Sequence, residues 1–178
     1  MRVILAGLAF VLTDLAFPAV AAPAPDIVGK SVLVNWTENM QIQRAEGSMN
    51  PTVSRELRIY ISSAGRSFAR ATAAAGQRSA TRELVGASGT SGSGGQWAVH
   101  VDGRTIVSQA SFGNWARNVR VELSPGGSGC SAQVTAGKEV GSATKAFRSG
   151  MSGMMTEVHA ITVSGASCTV QQGNVFAN

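Results

Sequence analysis

Two short stretches carry the residue types that perform metal and acid–base chemistry. In His100-Val101-Asp102 and Glu157-Val158-His159 an imidazole stands two residues from a carboxylate, and on a strand positions i and i+2 share one face. Two such strands side by side would gather His100, His159, Glu157 and Asp102 into a metal site or an acid–base cluster. Asp102 is also drawn the other way, because Asp102-Gly103 suits a type I′ hairpin turn.

A second group is suited to binding. Trp115 follows Asn114 beside a tight turn, and Arg117 and Arg120 come shortly after. An exposed indole next to Arg and Asn would stack on a sugar ring or hold an anionic ligand. The plainer reading is a Phe112/Trp115 cross-strand pair that fixes the hairpin. Trp36 and Trp97 fall on apolar faces and read as core. Glu38, Glu46, Glu56 and Glu83 read as solvated faces or bends, which leaves no pair of catalytic carboxylates.

Other motifs fail on spacing. Gly29-Lys30-Ser31 has the end of a phosphate-binding loop, but Ala24 stands where its first glycine is required. Gly150-Met151-Ser152-Gly153 lacks the spacing of a nucleophile elbow. Asn35-Trp36-Thr37 matches a glycosylation sequon inside a predicted strand, not a loop. The sequence implies no cofactor.

The elements that must position these residues are strands. Residues 1–21 read as a secretory signal peptide: Arg2, an apolar run from Val3 to Phe17, and a small-residue cleavage site at Ala19-Val20-Ala21. Residues 22–178 then form a single domain in the periplasm or outside the cell, not integral to the membrane after processing. The only cysteines, Cys130 and Cys168, are expected to pair as a disulfide, since export oxidises thiols and neither lies in a C-x-x-C motif.

Val32, Val34, Trp36, Met40 and Ile42 alternate as one strand face, with a bend expected at Glu38-Asn39; Leu57, Ile59 and Ile61 make a second. Ala71 to Val85 is undecided, because alanine favours helix while Gly76 and the missing apolar stripe oppose one. A Gly/Ser tract at 86–95 reads as a flexible loop. Trp97, Val99 and Val101, then Val119, Val121 and Leu123, give further inward faces. The expected fold is all-β: an antiparallel β-sandwich or barrel of about 8–10 short strands with one disulfide and little helix.

Only 14% of the 178 residues are charged and the formal net charge is +5. The basic residues are scattered arginines, so no patch specific for nucleic acid is expected. An envelope protein or an anionic polysaccharide is the expected partner, attracted by long-range charge. The leading functional expectation is a non-enzymatic exported β-domain that binds such a partner. One alternative is a closed β-barrel carrier of a small apolar ligand, which resembles lipocalin-type proteins in size and strand number. A third is a metal-dependent module built on His100 and His159.

Overall fold

The computed structural model describes residues 22–44, 46–85, 88–90, 96–112, 115–138, 147–148 and 155–177. The expected leader, residues 1–21, lies outside them, as do 86–87 and 91–95 of the Gly/Ser tract. Among the described residues there is no α-helix, only three-residue 3-10 turns at Pro25–Ile27 and Pro125–Gly127. No described helix is long and apolar enough to cross a membrane.

Among the described residues twelve antiparallel strands form two sheets. In chain order they are β1 (Lys30–Arg44), β2 (Gly47–Met49), β3 (Thr52–Ile61), β4 (Ser67–Ala75), β5 (Arg78–Val85), β6 (Ser88–Thr90) and β7 (Gln96–Asp102). Then follow β8 (Thr105–Phe112), β9 (Trp115–Leu123), β10 (Cys130–Lys138), β11 (Phe147–Arg148) and β12 (Met155–Gln172). One sheet has the order β11-β12-β1-β3-β4-β5 with β2 beside β1, and the other the order β10-β9-β8-β7-β6. The all-β expectation holds, as a sandwich. Its strands are not all short: β1 and β12 have 15 and 18 residues, while β2, β6 and β11 have three or fewer.

Three local readings are corrected. No bend interrupts β1 at Glu38-Asn39, because both residues stay in ladder register with Val53 and Thr52 on β3. The undecided stretch from Ala71 to Val85 is the β4–β5 hairpin, turning at Gly76 with φ +57°. Ladder pairing outweighs alanine's helix propensity there, since propensity is only a weak prior against tertiary context. The β7–β8 turn has Gly103 and Arg104 as its central residues, and only Gly103 has positive φ (+56°). A type I′ turn needs two such residues, whereas II′ needs one, a glycine in first place.

The irregularities fall on β12, which carries one extra residue against β1 at two points, at Gly165-Ala166 and at His159. Such bulges locally bend and twist a strand, so this long strand stays paired to β1 through register breaks.

The inner faces follow the period-2 pattern. Val32 and Val34 on β1, Leu57, Ile59 and Ile61 on β3, and Ala69 on β4 pack against Val99, Val101, Ile106, Val121 and Leu123 of the other sheet. Ile27, fully buried in the first 3-10 turn, joins this cluster. The second 3-10 turn closes on the first: Gly126 N–H donates to Asp26 at 2.7 Å and Lys30 Nζ donates to the Gly126 and Gly127 carbonyls. Gly127 is needed here for two reasons, a φ of +57° and a backbone approach that would put a Cβ 2.8 Å from the Asp26 carbonyl. Cys130 and Cys168 are disulfide-bonded, 38 residues apart in sequence. The bridge joins the two sheets, because β10 lies along β12 without sharing a ladder with it.

Candidate functional site

Cross-strand rows on the inner faces locate the site. In the first sheet Val32, Ile59, Ala69 and Leu84 stand side by side, then Val34, Leu57, Ala71 and Arg82, then Trp36, Arg55, Ala73 and Ala80. The facing sheet runs through Val121, Ile106 and Val101, then Val119, Ser108 and Val99, then Arg117, Ala110 and Trp97. The first rows are aliphatic and fill the space between the sheets. Further along, Ala71, Ala73, Ala80 and Ala110 occupy positions where larger side chains would be needed to meet across it. The result is a cleft of about 240 Å³ with Trp36 and Trp97 in its walls. Ala71, Ala73 and Ala110 are half-buried and Ala80 is exposed, so the cleft opens to solvent where the alanines replace larger side chains.

A charged cluster borders this cleft. Glu38 points inward from β1, two residues after Trp36, and its side chain is 0% exposed. Trp36 Nε1 donates to its Oε1 at 3.0 Å, and Arg55 Nε from β3 donates to its Oε2 at 3.0 Å. Arg117, from β9 of the opposite sheet, forks onto both carboxylate oxygens, with Nε on Oε1 and Nη2 on Oε2 at 2.7 Å. A buried charge is tolerated only when it is paired and hydrogen-bonded, and Glu38 meets both conditions.

Burial opposes ionisation of Glu38, but the hydrogen bonds and charge of Arg117, the charge of Arg55 and the Trp36 N–H outweigh it. Its carboxyl is held below the ordinary value of 4.5. Burial pulls Arg55 below the ordinary guanidinium value, helped by the charges of Arg117 and Arg82 and opposed by Glu38. A guanidinium stays protonated regardless, so the cluster carries more positive than negative charge.

The residues singled out from sequence are distributed as follows. Trp115 is buried, not exposed, and its Nε1 donates to the Val158 carbonyl on β12 at 3.0 Å. Its indole thus ties the two sheets together. Arg117 points inward to Glu38, while Arg120 is exposed on the outer face and pairs with Glu122 at 2.6 Å. Asn114 lies outside the described residues. His100 is exposed on the outer face of β7, and Asp102 is exposed at that strand's end. His159 is exposed at a bulge of β12 in the other sheet, where Glu157 is in register with Gln43. Among the described residues no three His, Cys, Asp or Glu side chains are grouped to hold a metal.

Glu38 and Arg55 were not among the expected site residues. The signal for them is parity. Glu38 continues the Val32, Val34, Trp36 series, and Arg55 precedes Leu57, Ile59 and Ile61 by the same step of two. Charges on an inward face require partners, and these residues supply each other's. No protein-family model, curated protein or solved structure matches the chain.

Proposed function

We propose that the protein is an exported, non-enzymatic binding domain that holds a small ligand in the cleft between its two sheets. The observation that carries this reading is the cleft itself. One part of the sandwich is filled by aliphatic side chains, while four alanines and two tryptophans leave about 240 Å³ open in the next rows. Ligand sites are typically concave and mainly apolar, with a few placed polar groups, and here Ser108, Arg55 and Arg117 are those groups. The cleft is slightly smaller than the usual range of roughly 300–1,000 Å³, which favours a ligand of one or two rings. Export is supported by the leader-like residues 1–21 and by the disulfide, which persists in oxidising compartments.

Calorimetric titration of the purified protein with 2-naphthamide, an uncharged bicyclic probe, tests the reading. Saturable binding that is lost in Ala73→Leu, with the far-ultraviolet circular dichroism unchanged, is the expected result. Ala73 faces the cleft from β4, and a leucine there would occupy it. Absence of binding to the wild type, or equal binding to Ala73→Leu, would overturn the proposal.

A further inference from the structure

We infer that the cleft selects an uncharged aromatic carbonyl compound, with its ring against Trp36 and Trp97 and its carbonyl oxygen accepting a hydrogen bond from Ser108 on β8. This rests on the cleft being a ligand site and adds the chemistry of the ligand. Ser108 lines the cleft and is only 5% exposed. Its neighbours across the sheet are Val99 and Val119, at 1% and 2% exposure, so it is the polar member of the row where aliphatic packing gives way to the opening. Trp97 Nε1 donates to its Oγ at 2.9 Å. Taking up that N–H accounts for an oxygen at this position, but a hydroxyl also carries a proton to donate. Among the described residues Ser108 makes no side-chain hydrogen bond besides the one from Trp97, so nothing there accepts its proton.

The surroundings of Ser108 suit a neutral, ring-bearing ligand. Both cleft indoles use their N–H groups inside the protein, Trp36 on Glu38 and Trp97 on Ser108. What the two tryptophans offer the cleft is therefore ring surface, which favours an aromatic body. A charged ligand group in the row of Val99 and Val119 would lose its water, and the guanidinium of the next row, Arg117, is already engaged by the Glu38 carboxylate. A carbonyl oxygen needs only a donor. Accepting the Trp97 N–H also polarises the Ser108 hydroxyl, which makes it a stronger one.

Calorimetric titration with two matched probes tests this: 2-acetylnaphthalene, which has a carbonyl oxygen, and 2-isopropenylnaphthalene, in which a methylene group replaces that oxygen. Ser108→Ala is expected to weaken binding of the ketone about fivefold, the net worth of one neutral hydrogen bond, and to leave the hydrocarbon nearly unchanged. Any disturbance from stripping Trp97 of its acceptor acts on both probes, so the change in their affinity ratio isolates the bond to the oxygen. Ser108→Thr and Ser108→Val repeat the comparison at equal volume: the first keeps a hydroxyl and should keep the wild-type ratio, and the second should lose it. A ratio unchanged in Ser108→Ala and Ser108→Val, or lost equally in Ser108→Thr and Ser108→Val, would overturn the inference and leave the cleft as a ligand site. Binding of neither probe to the wild type would remove the cleft reading and this inference together.

Discussion

Arg117 on β9 grips the carboxylate of Glu38 on β1, so an ion pair joins the two sheets where their aliphatic packing gives way to the cleft. The pair is intersheet and bidentate, and Arg55 holds the same carboxylate from within the first sheet. Glu38 thus fixes the direction of two arginines at the border of the site. The apolar rows set how far apart the sheets sit, and the charged cluster sets what faces the opening.

Removing the shared carboxylate should be costly. Glu38→Gln leaves Arg55 and Arg117 facing each other with their common anion gone, and breaking a buried pair from one side typically costs about 3–5 kcal/mol. Urea unfolding followed by tryptophan emission measures the loss. A double-mutant cycle with Arg117→Gln is expected to give strong coupling, because both single variants remove the same contact. Additive losses would show that the two side chains do not act as a unit.

The direction of the Glu38 shift fixes a pH dependence. Its folded carboxyl ionises below the ordinary value of 4.5, so the unfolded chain takes up a proton first as pH falls. The stabilisation is fully present above that value and is lost progressively as pH drops through the folded pKa. Asp26 shifts in the same direction, chiefly through its hydrogen bond from Arg104, and adds to the slope. Unfolding free energy measured from about pH 6 to about pH 3 should therefore decline in the acid part of that range. In Glu38→Gln the decline should be shallower but not absent. An identical slope in wild type and variant would mean that Glu38 is not the group responsible.

Much of this was legible in the alternation of residue types. The parity that places Val119, Val121 and Leu123 inward also places Arg117 and Trp115 inward, which a reading of Trp115 as an exposed hairpin tip does not use. Glu38 and Arg55 were readable in the same way, as charges on apolar faces. That they meet was not readable, since period 2 gives the face of each strand but not the docking of one sheet on the other. The hairpin at Ala71 to Val85 was hidden because alanine neither marks a strand by propensity nor fills one by volume. That lack of volume is what opens the cleft. The bulge at His159 follows from the pairing of two long strands and has no local sequence signal.

The disulfide and the cleft lie in different parts of the sandwich, so they should be separable. Cys130 and Cys168 close the side where β10 meets β12 without a ladder, whereas the cleft is lined from β1, β3, β4 and β5 on one side and β7, β8 and β9 on the other. A loop of 38 residues closed by one bridge contributes about 4 kcal/mol in the chain-entropy model. A Cys130→Ala/Cys168→Ala variant should lose stability of that order in urea while still binding 2-naphthamide under native conditions. Amide exchange should quicken first along β10, which among the described residues stands at the edge of its sheet with β9 as its one ladder partner. If the variant instead loses probe binding while it remains folded, the seam and the cleft are mechanically coupled, and the disulfide helps to hold the spacing of the sheets around the site.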